Sequence, residues 1–213
     1  TIIEHVYQIN PFYAIVVASL TSMFYTIRGG FKSVIGTDKF QFILMYLGFA
    51  IVIIYLYINH GGYSFLSANL PPQKLTFPGD LSWSYIFVWG FIAMVTFIDP
   101  NFYQRSFAGA SKRSIQKGIY ISVFLWFIFD LMSISVGLYA AAIIPEIQSS
   151  PYLDLASAIL PPLIQSVFIV SMLSVVMSTI DSFIFVSGFT IGKDILPVFL
   201  KKYDNSVQYT KIG

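Results

Sequence analysis

The sequence predicts an all-α, polytopic transmembrane helix bundle, and three observations lead to that fold class. First, the 213-residue chain is 56% hydrophobic and only 10% charged, whereas a soluble domain carries about 25% charged residues. Second, apolar windows of about 20 residues recur, which is the length that crosses a bilayer as a helix. Third, runs such as residues 42–58 are continuously apolar and lack the alternation of a membrane β-strand.

The chain is predicted to be a single transmembrane domain, residues 1–213, with five spans. Hydropathy places the spans at about residues 8–27, 39–58, 82–104, 119–144 and 161–190. The second connector carries Pro71, Pro72 and Gly79 and is expected to be an external loop. The apolar run 153–160 in the fourth connector predicts a short helix at the outer surface.

Positive charge is distributed unevenly among the connectors. Eleven of the twelve Lys and Arg residues fall in the first connector, the third connector and the tail, and only Lys74 lies in the second. Because cytoplasmic connectors are enriched in Lys and Arg, we expect the N-terminus outside the cell (plasma) membrane and the C-terminus in the cytoplasm. The odd span count suits a fragment of a longer protein, whose remaining helices and the bilayer are the expected partners.

Four carboxylates lie within or at the edge of the predicted spans: Asp38, Asp99, Asp130 and Asp181. No Lys or Arg lies mid-span to neutralise them, and an unpaired carboxylate in hydrocarbon is costly. Each is therefore expected to be protonated, to face water or to meet an external cation. Asp99 precedes Pro100, which predicts a break in the third span. Asp130 lies about 11 residues into the fourth span, near the bilayer centre.

A polar stripe runs along the last span, because residues three and four apart share a helix face. It consists of Ser174, Ser178, Asp181 and Ser182. A rise of about 1.5 Å per residue places Asp181 at the depth of Asp38, near the cytoplasmic side. The two carboxylates and the hydroxyls of Ser178 and Ser182 would form the all-oxygen shell that hard cations choose, and sodium fits that rule by extension.

Simpler interpretations of the same residues stay open. Serines within spans often donate to a carbonyl of their own helix or allow close helix packing. The predicted second span begins next to Asp38, which puts this residue at a helix N-terminus, where a carboxylate is favourable without any cation. Thr37 could cap the same helix.

Three segments resemble the sodium:solute symporter family. Residues 25–41 read YTIRGGFKSVIGTDKFQ and resemble its pattern YTxxGGxxAVxxTDxxQ. Residues 99–105 read DPNFYQR and resemble its signature DPxxxQR. Residues 177–182 read MSTIDS, followed by Lys193 and Asp194, and resemble its segment MS(S/T)xDS…(K)D. The resemblance implies the leucine-transporter-like fold, ten core helices in two inverted repeats, of which this chain would hold core helices four to eight.

The resemblance also implies sodium, as coupling ion, and its ligands. A first sodium would be held at the positions matching Val175, through its carbonyl, and the hydroxyls of Ser178 and Thr179. Some members hold a second sodium, whose ligands would match Asp38, Ser178, Asp181 and Ser182. These are the same four residues that the estimated depths of Asp38 and Asp181 in the membrane bring together. Many members have serine at the position of Asp181, so the acid departs from the pattern and could strengthen this site or bind a proton instead.

For the substrate, the resemblance places the third and fourth spans at core helices six and seven. The candidate substrate-binding residues are then Thr96, Asp99, Asn101 and Asp130. The carried molecule would be a small organic solute, and what remains of the pocket does not separate a sugar from an amino acid, a carboxylate or a vitamin.

We therefore expect a secondary active transporter that works by sodium-coupled symport with alternating access, not an enzyme, and no nucleic acid partner. One alternative is a sensor or channel module derived from the same fold. The other is an intramembrane aspartyl hydrolase, which would need paired Tyr-Asp and Gly-x-Gly-Asp motifs. Phe129 precedes Asp130 and no Gly-x-Gly-Asp occurs, which argues against the hydrolase.

Overall fold

In the computed structural model, the described residues, which are residue 2 and residues 9–148 and 150–199, form helices and short connectors. The helices are α1 (Pro11–His60), α2 (Tyr63–Asn69), α3 (Trp83–Ala93), α4 (Pro100–Phe107), α5 (Lys112–Ile143), α6 (Pro151–Ile159), α7 (Pro162–Thr190) and α8 (Leu196–Phe199). Short 3-10 turns occupy Pro72–Leu75 and Met94–Phe97, and a π-helical turn at Ile191–Ile195 joins α7 to α8. These described ranges contain no strand, and the predicted all-α class is confirmed.

The long apolar helices confirm a polytopic membrane protein. Three helical stretches, Pro11–His60, Lys112–Ile143 and Pro162–Phe199, are long and apolar enough to cross a membrane. A fourth candidate, Trp83–Phe97 with Pro100–Phe107, is bent by 42°, so the break predicted at Asp99-Pro100 is confirmed. The five-span count and the orientation stay predictions; the tail residues Lys201, Lys202 and Lys211, which contribute to the orientation, lie outside the described residues.

Gly30 divides α1 into two helical segments, residues 11–29 (α1a) and 31–60 (α1b). Its φ of 56° and ψ of −151° are non-helical and accessible chiefly to glycine. The break falls between the first two predicted spans, residues 8–27 and 39–58. Because α1b begins eight residues before the predicted second span, Thr37 and Asp38 lie inside a helix. The interpretation of either residue as an N-cap is therefore wrong.

The chain divides into two compact units, which differ in what they bury. The first contains residues up to Met45 and from Ser171 onward, and the second runs from Tyr46 to Val170. Every buried polar or charged residue among those described belongs to the first unit, namely Ser22, Thr26, Ser171, Ser174 and Asp181. Nearly all the buried hydrophobic residues belong to the second. The first unit therefore has a polar interior.

The second unit has an aromatic core centred on Phe49. The Phe49 ring lies 5.0 Å from the rings of Phe129 and Phe168 and 5.8 Å from that of Tyr152, centroid to centroid. These edge-to-face contacts are the favoured geometry for aromatic pairs. The short helix predicted in the fourth connector is confirmed as α6, which buries Leu153, Leu155 and Ala156.

Candidate functional site

The candidate site is the carboxylate of Asp181, which lies on α7 in the interior of the first unit and is fully buried. Its Oδ1 accepts hydrogen bonds from the hydroxyl of Ser22, at 2.5 Å, and from the hydroxyl of Tyr25. Its Oδ2 accepts from the amide Nε2 of Gln41 at 3.2 Å. The hydroxyl of Thr37 lies 3.4 Å from the same oxygen. Oδ1 thus accepts from two donors and Oδ2 from one, because the single proton of Thr37 lies nearer to the carbonyls of Val34 and Ser33, at 2.9 and 3.2 Å.

The helical spacing of these donors explains why they converge. Ser22 and Tyr25 are three residues apart on α1a, and Thr37 and Gln41 are four apart on α1b, so each pair shares a helix face. Because Gly30 turns the chain between the two pairs, both faces meet the same residue of α7. One turn beyond Asp181, the ring of Phe185 packs against Phe31 at 5.1 Å.

The chemistry of these partners suits a carboxylate. An ionised carboxylate only accepts hydrogen bonds and offers about four lone-pair directions. The four partners are uncharged, so burial of Asp181 depends on hydrogen bonds rather than on an ion pair among the described residues. Hydrogen bonds to a charged acceptor are roughly twice as strong as neutral ones. The cluster can hold a negative charge in an apolar setting.

The hydroxyls of the predicted first sodium site donate within their own helix. Ser178 and Thr179 donate to the carbonyl of Val175 at 3.0 and 3.2 Å, and Ser182 donates to the carbonyl of Ser178 at 3.0 Å. The simpler interpretation, that a hydroxyl in this span bonds to its own helix, thus describes hydrogen bonds made by Ser178, Thr179 and Ser182. A hydroxyl whose only proton is committed in this way presents just its lone pairs, so Ser178 and Thr179 fit a hard cation as neutral oxygen ligands.

The structure brings together part of the predicted second sodium site. Thr37 and Gln41, which flank Asp38 in α1b, contact Asp181, so α1b and α7 are neighbours at this level, as the depth comparison required. Asp38 is half-buried. Whether Asp38, Asp181 and the two serines bind a cation stays a prediction.

Sequence reasoning missed the donors to Asp181. Ser22, Tyr25, Thr37 and Gln41 were not among the predicted site residues. A signal existed, because each pair has the spacing of one helix face within an apolar segment. The pairing itself depends on which helices become neighbours, which the spacing does not reveal.

The predicted substrate residues lie in the second unit. Asp99 caps the N-terminus of α4, because its Oδ1 accepts from the backbone N–H and the side-chain amide of Asn101 at 2.8 and 3.0 Å. Thr96 donates to the carbonyl of Ala93 at 2.6 Å. These three candidates therefore gather at the break in the third predicted span. Asp130 is exposed on α5.

The family model of the sodium:solute symporters matches residues 1–211. The chain belongs to the sodium:solute symporter family. The sodium/pantothenate symporter of Haemophilus influenzae is 26% identical over 196 residues, covering 85% of this chain and 40% of that protein. The sodium/proline symporter of Staphylococcus aureus is 23% identical over 202 residues, covering 90% and 39% respectively. This family member thus spans about two-fifths of these relatives' length. No solved structure matches it.

Family membership confirms the resemblance seen in the three sequence segments. Members of the sodium:solute symporter family are transporters and not enzymes, which agrees with the sequence-based expectation. The apolar helices agree with the membrane setting that both symporters' names imply. The intramembrane hydrolase is thereby set aside.

Proposed function

We propose that the full-length protein is a secondary active transporter that couples sodium movement to uptake of a small organic solute across the cell membrane. The family match over residues 1–211 carries this proposal. Both relatives described above are named as sodium symporters. Long apolar helices supply the membrane-spanning frame that such coupling needs.

The coupling ion is proposed to bind at Val175, Ser178 and Thr179 of α7. The support is chemical, since both hydroxyl protons are committed to the Val175 carbonyl and the hydroxyl oxygens offer only lone pairs. Sodium, a hard cation, prefers such oxygen ligands. The Val175 carbonyl already accepts both hydroxyls, so the two side chains are the more available ligands. Helices outside this sequence would complete the shell.

Sodium bound here would drive transport by population shift. A ligand moves a conformational equilibrium only through its differential affinity for the two states. In alternating-access transporters, the states differ by movement of one helix bundle against another around a fixed site. The orientation of α7, which carries Ser178 and Thr179, therefore controls how strongly sodium favours one state.

The solute is proposed to carry a carboxylate. Pantothenate and proline, named in the descriptions of the two relatives, both have one. The proposed contact residues are Thr96, Asp99, Asn101 and Asp130, of which three lie at the helix break. The amide of Asn101 can donate to the solute's carboxylate, whereas Asp99 and Asp130 would face its other polar groups, because like charges repel. Broken helices line substrate cavities in transporters of this kind.

The test is uptake by the full-length protein in proteoliposomes, with sodium or potassium outside. A labelled panel should include pantothenate, proline, another carboxylate and a neutral sugar. Ser178→Ala is expected to raise the half-maximal sodium concentration about tenfold, the effect of losing roughly 1.4 kcal/mol of binding. Ser166→Ala is the matched control, because Ser166 also lies on α7 and donates to a carbonyl of its own helix. Equal uptake in sodium and potassium would refute the proposal.

A further inference from the structure

Three of the lone-pair directions of the Asp181 carboxylate are taken by hydrogen-bond donors, and a fourth polar group stands beside Oδ2. Ser22 and Tyr25 occupy Oδ1, and Gln41 donates to Oδ2. The Thr37 hydroxyl lies 3.4 Å from Oδ2, but its single proton has nearer acceptors in the carbonyls of Val34, at 2.9 Å, and Ser33, at 3.2 Å. A carboxylate has about four such directions. A sodium ion that bound to Asp181 would have to compete with the three donors.

Displacing Ser22 would be unfavourable because this donor is buried together with its acceptor, whereas Tyr25, Thr37 and Gln41 are half-buried. Ser22 and Asp181 are both fully buried, so a displaced hydroxyl would have no water to receive its proton. Leaving a buried donor without an acceptor costs the full desolvation penalty of that donor. Among the described residues, Ser22, Tyr25, Thr37 and Gln41 thus form a polar cage around the Asp181 carboxylate.

We propose that this polar cage takes the place of a second sodium ion, and that Asp181 is a positioning residue for the cation site at Ser178 and Thr179. The inference rests on the proposed sodium coupling, and it limits the number of sodium ions bound at α7 to one. Ser178 precedes Asp181 by three residues and shares its helix face. By tying α7 to α1a and α1b, the cage fixes the rotation of α7 and hence the direction of the Ser178 oxygen.

Gln41 makes the idea testable with a conservative substitution. Its Oε1 is buried without a hydrogen-bond partner among the described residues, whereas its Nε2 donates to Asp181. In Asp181→Asn, rotation of the Gln41 amide would present this Oε1 to the new Nδ2–H. Thr37 could give its proton wholly to Val34 and accept the second Nδ2–H. Ser22 and Tyr25 would continue to donate to the retained oxygen.

The decisive measurement is equilibrium binding of ²²Na⁺ to the purified full-length protein, which reports the number of ions without transport. Asp181→Asn is expected to bind as many sodium ions as the wild type, with half-saturation changed by less than about threefold. If Asp181 were a sodium ligand, the variant would bind one ion fewer, or its half-saturation would rise about tenfold or more. That result would overturn the inference.

Tyr25→Phe supplies a second test with opposite expected signs. If the cage positions α7, removing one donor loosens it, and half-saturation by sodium rises about threefold to tenfold. If Asp181 binds sodium, the same change frees a lone pair, and half-saturation falls or stays constant. Tyr13→Phe is the matched control, since Tyr13 lies on α1a with 64% of its surface exposed and should show no change. This pair decides the question even where Asp181→Asn does not fold.

Failure of the inference and failure of the proposed function are distinguishable. A wild-type protein that binds no ²²Na⁺ and transports without sodium refutes the proposed function. A wild-type protein that couples to sodium, while Asp181→Asn loses one bound ion, refutes only the role assigned to Asp181.

Discussion

Substituting Gly30 tests whether the break in α1 is a property of that residue's backbone. Its φ of 56° and ψ of −151° cost a residue with a Cβ about 1–3 kcal/mol. Gly36 is a matched control in α1b, because a Cβ added at either glycine meets no atom within 4 Å. At helical Gly36, alanine should instead stabilise by about 0.5–1 kcal/mol. Gly30→Ala and Gly36→Ala should therefore shift stability in opposite directions.

The break also determines which residues can meet. In an unbroken helix, Ser22 and Thr37 would lie about 22 Å apart along the axis, at 1.5 Å per residue. In the structure both contact the carboxylate of Asp181. If alanine at position 30 straightens α1, one donor pair leaves Asp181, and the destabilisation exceeds the backbone cost alone.

Thermal unfolding of the full-length protein in detergent is the assay, with the wild type and both variants compared at equal concentration. The expected separation between Gly30→Ala and Gly36→Ala is about 1.5–4 kcal/mol, or several degrees in the unfolding midpoint. The reasoning is refuted if Gly30→Ala is as stable as the wild type, or if both variants shift together.

Two further substitutions test the second unit by the same assay. Phe49→Ala should destabilise the protein by about 3–5 kcal/mol, the cost of truncating a buried aromatic residue. Ile54→Ala is the control on the same helix and should cost much less, because the Ile54 side chain is 58% exposed. Similar losses of stability in the two variants would contradict the assignment of Phe49 to the core. Asp99→Ala should destabilise the protein by about 1 kcal/mol, because it removes the N-cap of α4, whereas Asp99→Asn keeps the cap. Equal destabilisation by the two substitutions would show that the charge of Asp99 matters rather than its capping hydrogen bonds.

Features with a local cause could be predicted from the sequence. The break at Asp99-Pro100 follows from proline's missing N–H and its effect on the preceding residue. Asp181 was identified as functionally interesting because an acid within a span is costly. Neither inference requires knowledge of neighbouring helices.

Features that depend on tertiary neighbours could not be predicted. The start of α1b was placed too late because Lys32, Thr37 and Asp38 lower the local hydropathy, although a helix requires only suitable backbone angles. The donors to Asp181 were missed because a hydroxyl in a span most often bonds within its own helix, as Ser178 does. Only the tertiary arrangement shows that Ser22 and Tyr25 bond outward instead.

The long sequence separation within the Asp181 cage has a consequence for biosynthesis. Ser22 and Gln41 precede Asp181 by 159 and 140 residues. At a translation rate of about 5–20 residues per second, these donors enter the membrane roughly 8–30 s before their acceptor is made. During that interval they must bond to their own helices or to water. The first unit can therefore close only after α7 is inserted, which makes its assembly a late event in synthesis of the chain.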